Sequence, residues 1–161
     1  MNADVLVWAA ICTWAGLGVH ASWTDLRAAT ISRRACWVAG IAVALLLAGA
    51  AIALEDPLRW LWTLAGAAAV ALLLEVAYRW RPDRLGYGDV RLIIVNSFMV
   101  AWWGPAWPWW ALVAGAIAAW PAALMSAVRE GRQARVRWAP GLTLGTALVV
   151  AWQAVTVGPL G

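Results

Sequence analysis

Six apolar stretches divide the chain, and short segments rich in charged residues, glycine or proline separate them. The stretches cover approximately residues 5–21, 35–54, 58–77, 90–103, 107–128 and 138–157. A helix needs about 20 apolar residues to cross the hydrocarbon layer of a membrane. The stretches lack the period-two alternation of membrane β-strands. The pattern therefore predicts an all-α, polytopic membrane protein with about six transmembrane helices, of which the fourth is the shortest.

The composition excludes a soluble or disordered protein. Hydrophobic residues make up 65% of the 161 residues and charged residues 12%, against about 45–50% and 25% in soluble domains. A core of this size cannot hide so many apolar side chains from water, so the remainder must face lipid. The length has room for one domain, and we expect residues 1–161 to form a single transmembrane domain.

The positive charge of the chain indicates its orientation in the membrane. All 12 basic residues are arginines, and 11 of them fall in the first, third and fifth loops between the apolar stretches, with only Arg59 elsewhere. Cytoplasmic loops retain arginine, so we expect the odd loops inside and both termini outside. Arginines in such short loops favour membrane lipids as partners and do not indicate nucleic acid.

Few side chains in the sequence suit a metal or a cofactor. Cys12 and Cys36 do not have the spacing of a metal site, and His20 is the only histidine. We therefore predict neither a metal nor a cofactor. Glu75 stands four residues before Arg79, which predicts a local ion pair on one helix face.

Two acidic residues stand at the predicted cytoplasmic face, each beside an apolar stretch. Asp25 follows the first stretch, and Asp89 begins the fourth after Gly86, Tyr87 and Gly88. A carboxylate at a membrane boundary is costly unless it is solvated or paired, which makes both residues candidates for a functional site. Two glycines without side chains can take positive φ and let an extended peptide approach Asp89. Alternatively, Asp89 caps the fourth helix and the glycines only form a turn.

Three segments of the sequence resemble the motifs of one family. GYGD at 86–89, followed by Arg91, resembles the GxGD motif of the type IV prepilin peptidases, which are membrane aspartic proteases. Asp25, with Ile31 six residues later, resembles the first aspartate motif of that family. WAPGLTLG at 138–145 resembles the entry to its last helix. The motif order and the predicted orientation agree along the whole chain.

The sequence also departs from the family pattern. Ser32 and Arg33 stand where the family commonly has proline and asparagine, and Arg91 replaces the usual lysine. Larger members add an N-terminal domain that binds zinc and methylates the product. We expect this chain to lack that domain. In this respect the chain resembles the short, peptidase-only branch of the family, which serves tight-adherence pili.

The resemblance implies an endopeptidase of the bacterial inner membrane. It would cleave the basic leader from prepilin or pseudopilin precursors at the cytoplasmic face, with Asp25 and Asp89 as catalytic residues and no cofactor. Two carboxyls sharing one proton can activate a water and protonate a leaving amine. Three residues near the acids, Arg27, Arg91 and Tyr87, would lie beside the substrate. The arginines could equally serve only as topology signals, and Tyr87 as a packing residue.

A second class of function is compatible with the same acids. A non-enzymatic membrane scaffold, or a small transporter coupled to protons or cations, could retain Asp25 and Asp89 for another purpose. An inactive peptidase homologue lies between these alternatives.

Overall fold

The computed structural model describes residues 2–80, 86–130 and 137–160, and these residues form six α-helices. The helices are α1 (Ala3–Ala28), α2 (Arg33–Ala53), α3 (Pro57–Trp80), α4 (Tyr87–Ala101), α5 (Trp107–Glu130) and α6 (Ala139–Thr156). All except α4 are long and apolar enough to cross a membrane. The predicted all-helical, multi-pass membrane fold is confirmed. Four arginines of the predicted cytoplasmic loops lie outside the described residues, at positions 81, 84, 132 and 135.

Helix α1 continues beyond the apolar stretch that predicted it. The stretch ends near residue 21, whereas the helix ends at Ala28, where Ala29 takes a left-handed conformation with φ 50° and donates its N–H to the Asp25 carbonyl. A helix satisfies its own backbone groups, so it can extend from lipid into a polar layer after its apolar residues have ended. Asp25 therefore lies inside the last turns of α1 and not in the loop after it. Ser32 then caps α2 by accepting the N–H of Ala35.

The shortest helix, α4, is the centre of the bundle. Its 15 residues extend for about 22 Å at 1.5 Å per residue, and it packs against all five other helices. Most of its side chains are buried, including the polar Asn96 and Ser97. Whatever α4 carries at its N-terminus is therefore positioned by all the other helices together.

Buried hydrogen bonds join α1, α4 and α6. The indole N–H of Trp14 donates to Oδ1 of Asn96 at 2.8 Å, and Nδ2 of Asn96 donates to the Leu142 carbonyl at 3.5 Å. The hydroxyl of Thr146 donates to the same carbonyl at 2.8 Å. Polar side chains are retained among apolar helices when they hydrogen-bond across them. This network sets how the three helices are rotated toward one another.

Glycines allow α5 and α6 to pack with their backbones in contact. A Cβ atom at Gly141 would lie 2.5 Å from the Cβ of Ala119, and one at Gly145 would overlap the backbone of Gly115. The four-residue spacing of Gly141 and Gly145 is typical of close helix packing in membranes, and the contact confirms it. The Glu75–Arg79 ion pair is also present, with Oε1 and Nε 3.0 Å apart.

The contact between α5 and α6 gives a test in which two glycines are compared. We expect Gly145→Ala to lower the free energy of unfolding by about 3 kcal/mol or more, since the new methyl group meets backbone atoms that cannot move aside. Gly16 lies in α1 with open space around the position of a Cβ, so Gly16→Ala should be neutral or stabilise by about 0.5–1 kcal/mol. Thermal unfolding of the purified variants in detergent measures both. Equal melting temperatures would contradict the packing.

Candidate active site

A single stripe of small and polar residues along α1 ends at Asp25. Gly18, Ser22 and Asp25 follow one another at spacings of four and three, which places them on one helix face. A Cβ at Gly18 would overlap the side chain of Thr143 in α6, and the hydroxyl of Ser22 donates to that of Thr143 at 3.4 Å. The stripe holds α6 against α1, and only 7% of Asp25 remains exposed.

The carboxylate of Asp25 accepts a hydrogen bond from the beginning of α6. The backbone N–H of Ala139, the first residue of that helix, lies 3.2 Å from Oδ2. The first N–H groups of a helix have no partner inside the helix, and their dipoles favour negative charge. Arg137 donates to the Leu26 carbonyl, and its positive charge also acts on Asp25. The beginning of α6 therefore offsets part of the cost of burying this carboxylate.

Asp89 lies in the first turn of α4, next to Asp25. The N-cap is Gly86, and the N–H of Asp89 donates to the Gly86 carbonyl at 3.0 Å. Asp89 lies outside the five helices long enough to span the membrane, and burial raises its pKa to about 6, with the nearby Asp25 carboxylate as the second cause. Asp89 therefore keeps a substantial protonated fraction up to about pH 6, well above the ordinary range of an aspartate.

Gly86 and Gly88 allow close contacts with neighbouring side chains, and neither has a backbone conformation that requires glycine. Gly86 has φ −68°, and neither Gly86 nor Gly88 is among the positive-φ residues. A Cβ at Gly86 would lie 2.8 Å from Oδ2 of Asp89, and one at Gly88 would lie 3.0 Å from the Cβ of Ile31. Gly86, and not Asp89, occupies the N-cap of α4, and Asp89 is the acidic residue of its first turn.

The remaining predicted site residues pack on aromatic rings. The Arg91 guanidinium lies 4.3 Å from the ring centre of Tyr87, and that ring lies 4.7 Å from the ring of Tyr78. Arg27 stacks in the same manner on Trp23 at 3.8 Å. In the part of the chain that the structure describes, neither arginine forms an ion pair with an aspartate. Tyr87 and Arg91 therefore share one face of α4, which is turned away from Asp89 because each stands two residues from it. Arg27 is exposed on α1.

The structure adds two contacts at the site that the sequence reasoning did not predict, although it named the motifs that contain them. They are the Ala139 N–H on Asp25 and the Ile31 side chain against Gly88. It also adds the buried amide of Asn96 farther along α4. Asn96 stands seven residues after Asp89, which is two helical turns along the same face of α4. This spacing was the feature of the sequence that could have pointed to Asn96. Within the described residues, no three histidine, cysteine, aspartate or glutamate side chains converge where a metal ion could bind.

Comparison with known proteins places most of the chain in one group. Residues 10–126 match the model of the type IV leader peptidase family, a segment that contains both Asp25 and Asp89 and ends within α5. No curated protein and no solved structure matches the chain. The contact of Asp25 with Ala139 lies partly outside the matched segment.

The raised pKa of Asp89 predicts how stability varies with pH. Folded Asp89 keeps its proton up to about pH 6, above its ordinary value of 3.8, so between these values the folded state binds more protons than the unfolded state. This contribution is full below about pH 4 and is lost as the pH rises through about 6, up to about 3 kcal/mol in total. We expect Asp89→Asn to flatten the fall in melting temperature between about pH 4.5 and 7.5.

Asp4→Asn serves as the control, because Asp4 lies in the first turn of α1 at the other end of that helix. The melting temperature of Asp4→Asn should fall between about pH 4.5 and 7.5 as much as that of the unaltered protein. Identical curves for the two variants would show that the proton is not held at Asp89.

Proposed function

Because the chain belongs to the type IV leader peptidase family, we propose that it is a membrane aspartic endopeptidase that removes the leader from prepilin or pseudopilin precursors. The family implies the aspartic peptidase chemistry. The substrate, the catalytic residues and the side of the membrane are part of the proposal. The resemblance to the short, peptidase-only branch makes tight-adherence pilins the first precursors to test.

One observation carries the assignment of the catalytic pair. Asp25 and Asp89 are 64 positions apart in the sequence, yet their carboxyl groups lie close enough for one to raise the pKa of the other. The beginning of α6 completes the site through the Ala139 N–H. All three segments that resemble family motifs thus meet at one end of the bundle, where chance placement along six helices would separate them.

Peptide hydrolysis by such a pair requires one carboxylate and one carboxylic acid. We assign the carboxylate to Asp25, which accepts the Ala139 N–H, and the acid to Asp89, which holds its proton up to about pH 6. In the proposed reaction Asp25 takes a proton from water as the water oxygen bonds to the scissile carbonyl carbon. Asp89 gives its proton to the leaving nitrogen as the C–N bond breaks. Transfer of the proton from Asp25 to Asp89 restores the starting state, so the pair acts as one unit.

The arginines support a site that faces the cytoplasm. Asp25 and Asp89 lie at the helix ends next to the odd-numbered loops, where 11 of the 12 arginines fall, and cytoplasmic loops retain arginine. A precursor whose basic leader stays in the cytoplasm, and whose next segment is an apolar membrane helix, would present its scissile bond at this level. The bond lies just before the apolar helix.

Replacing either aspartate tests the proposal directly. We expect Asp25→Asn and Asp89→Asn each to lower cleavage at least about a hundredfold, since neither amide can exchange a proton as the carboxyl does, and the double variant to be scarcely worse. The assay is co-expression with a prepilin-like precursor of the same organism and detection of the size shift on a gel. Asp4→Asn, in the first turn of α1, is the matched control and should cleave normally.

The outcome also separates the alternatives. A scaffold, a proton-coupled transporter or an inactive homologue would leave the precursor at full length even with the unaltered protein. Cleavage retained by either single variant would remove that residue from the mechanism while leaving the family assignment intact.

A second experiment asks what Gly88 does. The new methyl group in Gly88→Ala would press on Ile31, whose Cβ lies 3.0 Å from its position. It would push the first turn of α4 away from the connection between α1 and α2. Small displacements of catalytic groups are costly, so we expect about a tenfold loss of cleavage per folded enzyme. Adding Ile31→Ala should restore cleavage to within about threefold of the Ile31→Ala single variant.

Gly86→Ala is the control for this rescue. Its methyl group would meet Oδ2 of Asp89 and not Ile31, so Ile31→Ala should not restore its activity. If Ile31→Ala fails to rescue Gly88→Ala, the glycine instead keeps space open for the scissile strand.

A further inference from the structure

The last turn of α1 is completed by an arginine from the segment before α6. A helix has no N–H donors of its own for its final carbonyl groups. In α1 the N–H of Ala29 donates to the Asp25 carbonyl, and the guanidinium of Arg137 donates to the next one, the Leu26 carbonyl. An arginine at a helix C-terminus also interacts favourably with the helix dipole. Arg137 therefore caps α1 from a position 111 residues away in the sequence.

The beginning of α6 is completed in the same way by α1. The N-cap residue of α6, Trp138, forms no side-chain cap hydrogen bond. The N–H of Ala139 donates instead to Oδ2 of Asp25 at 3.2 Å. Each of the two helix ends thus supplies a partner for the other.

These two hydrogen bonds hold α6 to α1 at two points. The acceptors belong to Asp25 and Leu26, which are consecutive residues of α1, and the donors belong to Arg137 and Ala139, which are two residues apart. A single hydrogen bond would let the first turn of α6 pivot about it, whereas two bonds at neighbouring positions restrict that rotation. The bond to Leu26 therefore restrains the direction in which the Ala139 N–H points.

The other contacts of this turn do not replace the restraint from Arg137. Trp138 packs on an apolar cluster that α3 and α4 contribute to, and not on α1. Along α6, the next hydrogen bond to α1 among the described residues is at Thr143, one turn farther, where the hydroxyl of Ser22 donates at 3.4 Å. That distance is long for a hydrogen bond between hydroxyl groups. Helix ends fray readily, so the first turn of α6 depends on Arg137 for its place beside α1.

We propose that Arg137 is a positioning residue of the peptidase, which holds the first turn of α6 on α1 and thereby keeps the Ala139 N–H on Asp25. The inference rests on the proposed function, because it concerns the geometry of the catalytic pair. Arg137 is exposed, and its guanidinium is bound to a backbone carbonyl. It therefore acts through Asp25 and does not contact the substrate.

The kinetic constants separate positioning from substrate binding. Arg137→Met removes the donor and the charge but keeps a long side chain. We expect kcat per folded enzyme to fall about tenfold with KM within about twofold, because a displaced catalytic group slows the reaction without weakening binding. Arg137→Lys keeps a cationic donor and should stay within about threefold of the unaltered kcat. Cleavage of a purified precursor in detergent measures both constants.

Arg79→Met is the matched control for the loss of a positive charge. Arg79 is in the last turn of α3, at the same end of the bundle, and pairs with Glu75 of its own helix at 3.0 Å. The variant loses one charge from the same face without loosening a contact between helices. Its kcat and KM should stay within about twofold of the unaltered values.

Hydrogen–deuterium exchange measures the restraint on α6 without depending on turnover. The N–H of Leu142 donates to the Trp138 carbonyl in the first turn of α6. In Arg137→Met the amides of residues 142–145 should exchange at least about fivefold faster than in the unaltered protein. Arg137→Lys and Arg79→Met should leave the exchange of these amides unchanged. If Arg137→Met does not fold, Arg137→Gln, which keeps a shorter polar side chain, replaces it in both measurements.

Three results would overturn the proposal. They are an unchanged kcat in Arg137→Met, a rise in KM alone, which would make Arg137 a substrate contact, and a fall in kcat with unchanged exchange, which would leave only the charge of Arg137 acting on Asp25. Failure of the unaltered protein to cleave the precursor would overturn the proposed function and the positioning role with it. Cleavage that Arg137→Met leaves intact would overturn the positioning role alone.

Discussion

The hydrogen bond from the Ala139 N–H to the carboxylate of Asp25 is the interaction on which the site depends. A carboxylate that is 7% exposed is costly unless donors and positive charge surround it, and here the first N–H of α6 supplies them. The bond requires α6 to begin at a fixed height beside the last turns of α1. Gly18 against Thr143, and Gly145 against the backbone of α5, allow the close approach that fixes this height. A change in the packing of α6 would therefore reach Asp25 before it reached Asp89.

The buried amide of Asn96 fixes the rotation of α4 about its axis, which hydrophobic packing alone specifies weakly. Most faces of a membrane helix are apolar, whether they meet lipid or another helix, so the burial of apolar side chains specifies the rotation of α4 only weakly. Hydrogen bonds between membrane helices contribute about 1 kcal/mol each, which is small for stability but sufficient to favour one rotation over another. Because Asn96 binds Trp14 and the Leu142 carbonyl, Asp89, two turns earlier, faces α1 and α6 and thus Asp25.

The lengths of the apolar stretches predicted the helices well. They could not predict the contacts between the helices. The six stretches correspond to the six described helices, and five of these have the length that the thickness of the bilayer sets for a membrane span. Asp25 was expected after the first span and lies inside α1, since a helix continues after its apolar residues have ended. The glycines beside Asp89 were expected to serve the backbone or the substrate, yet Gly88 faces Ile31 from another helix connection. Such a contact depends on three-dimensional packing and leaves no period in the sequence.

The position of the aspartates at helix ends, Asp25 near the end of α1 and Asp89 in the first turn of α4, fits the chemistry of the peptide bond. Inside a helix each peptide group is hydrogen-bonded to a neighbouring turn. Inside the bilayer core no water is available to attack a peptide bond. Hydrolysis therefore needs an extended segment at a level that water reaches, directly before the helix that anchors the substrate. The enzyme would thus hold its substrate by the part that cannot be cleaved and cut at the first residues that leave the membrane.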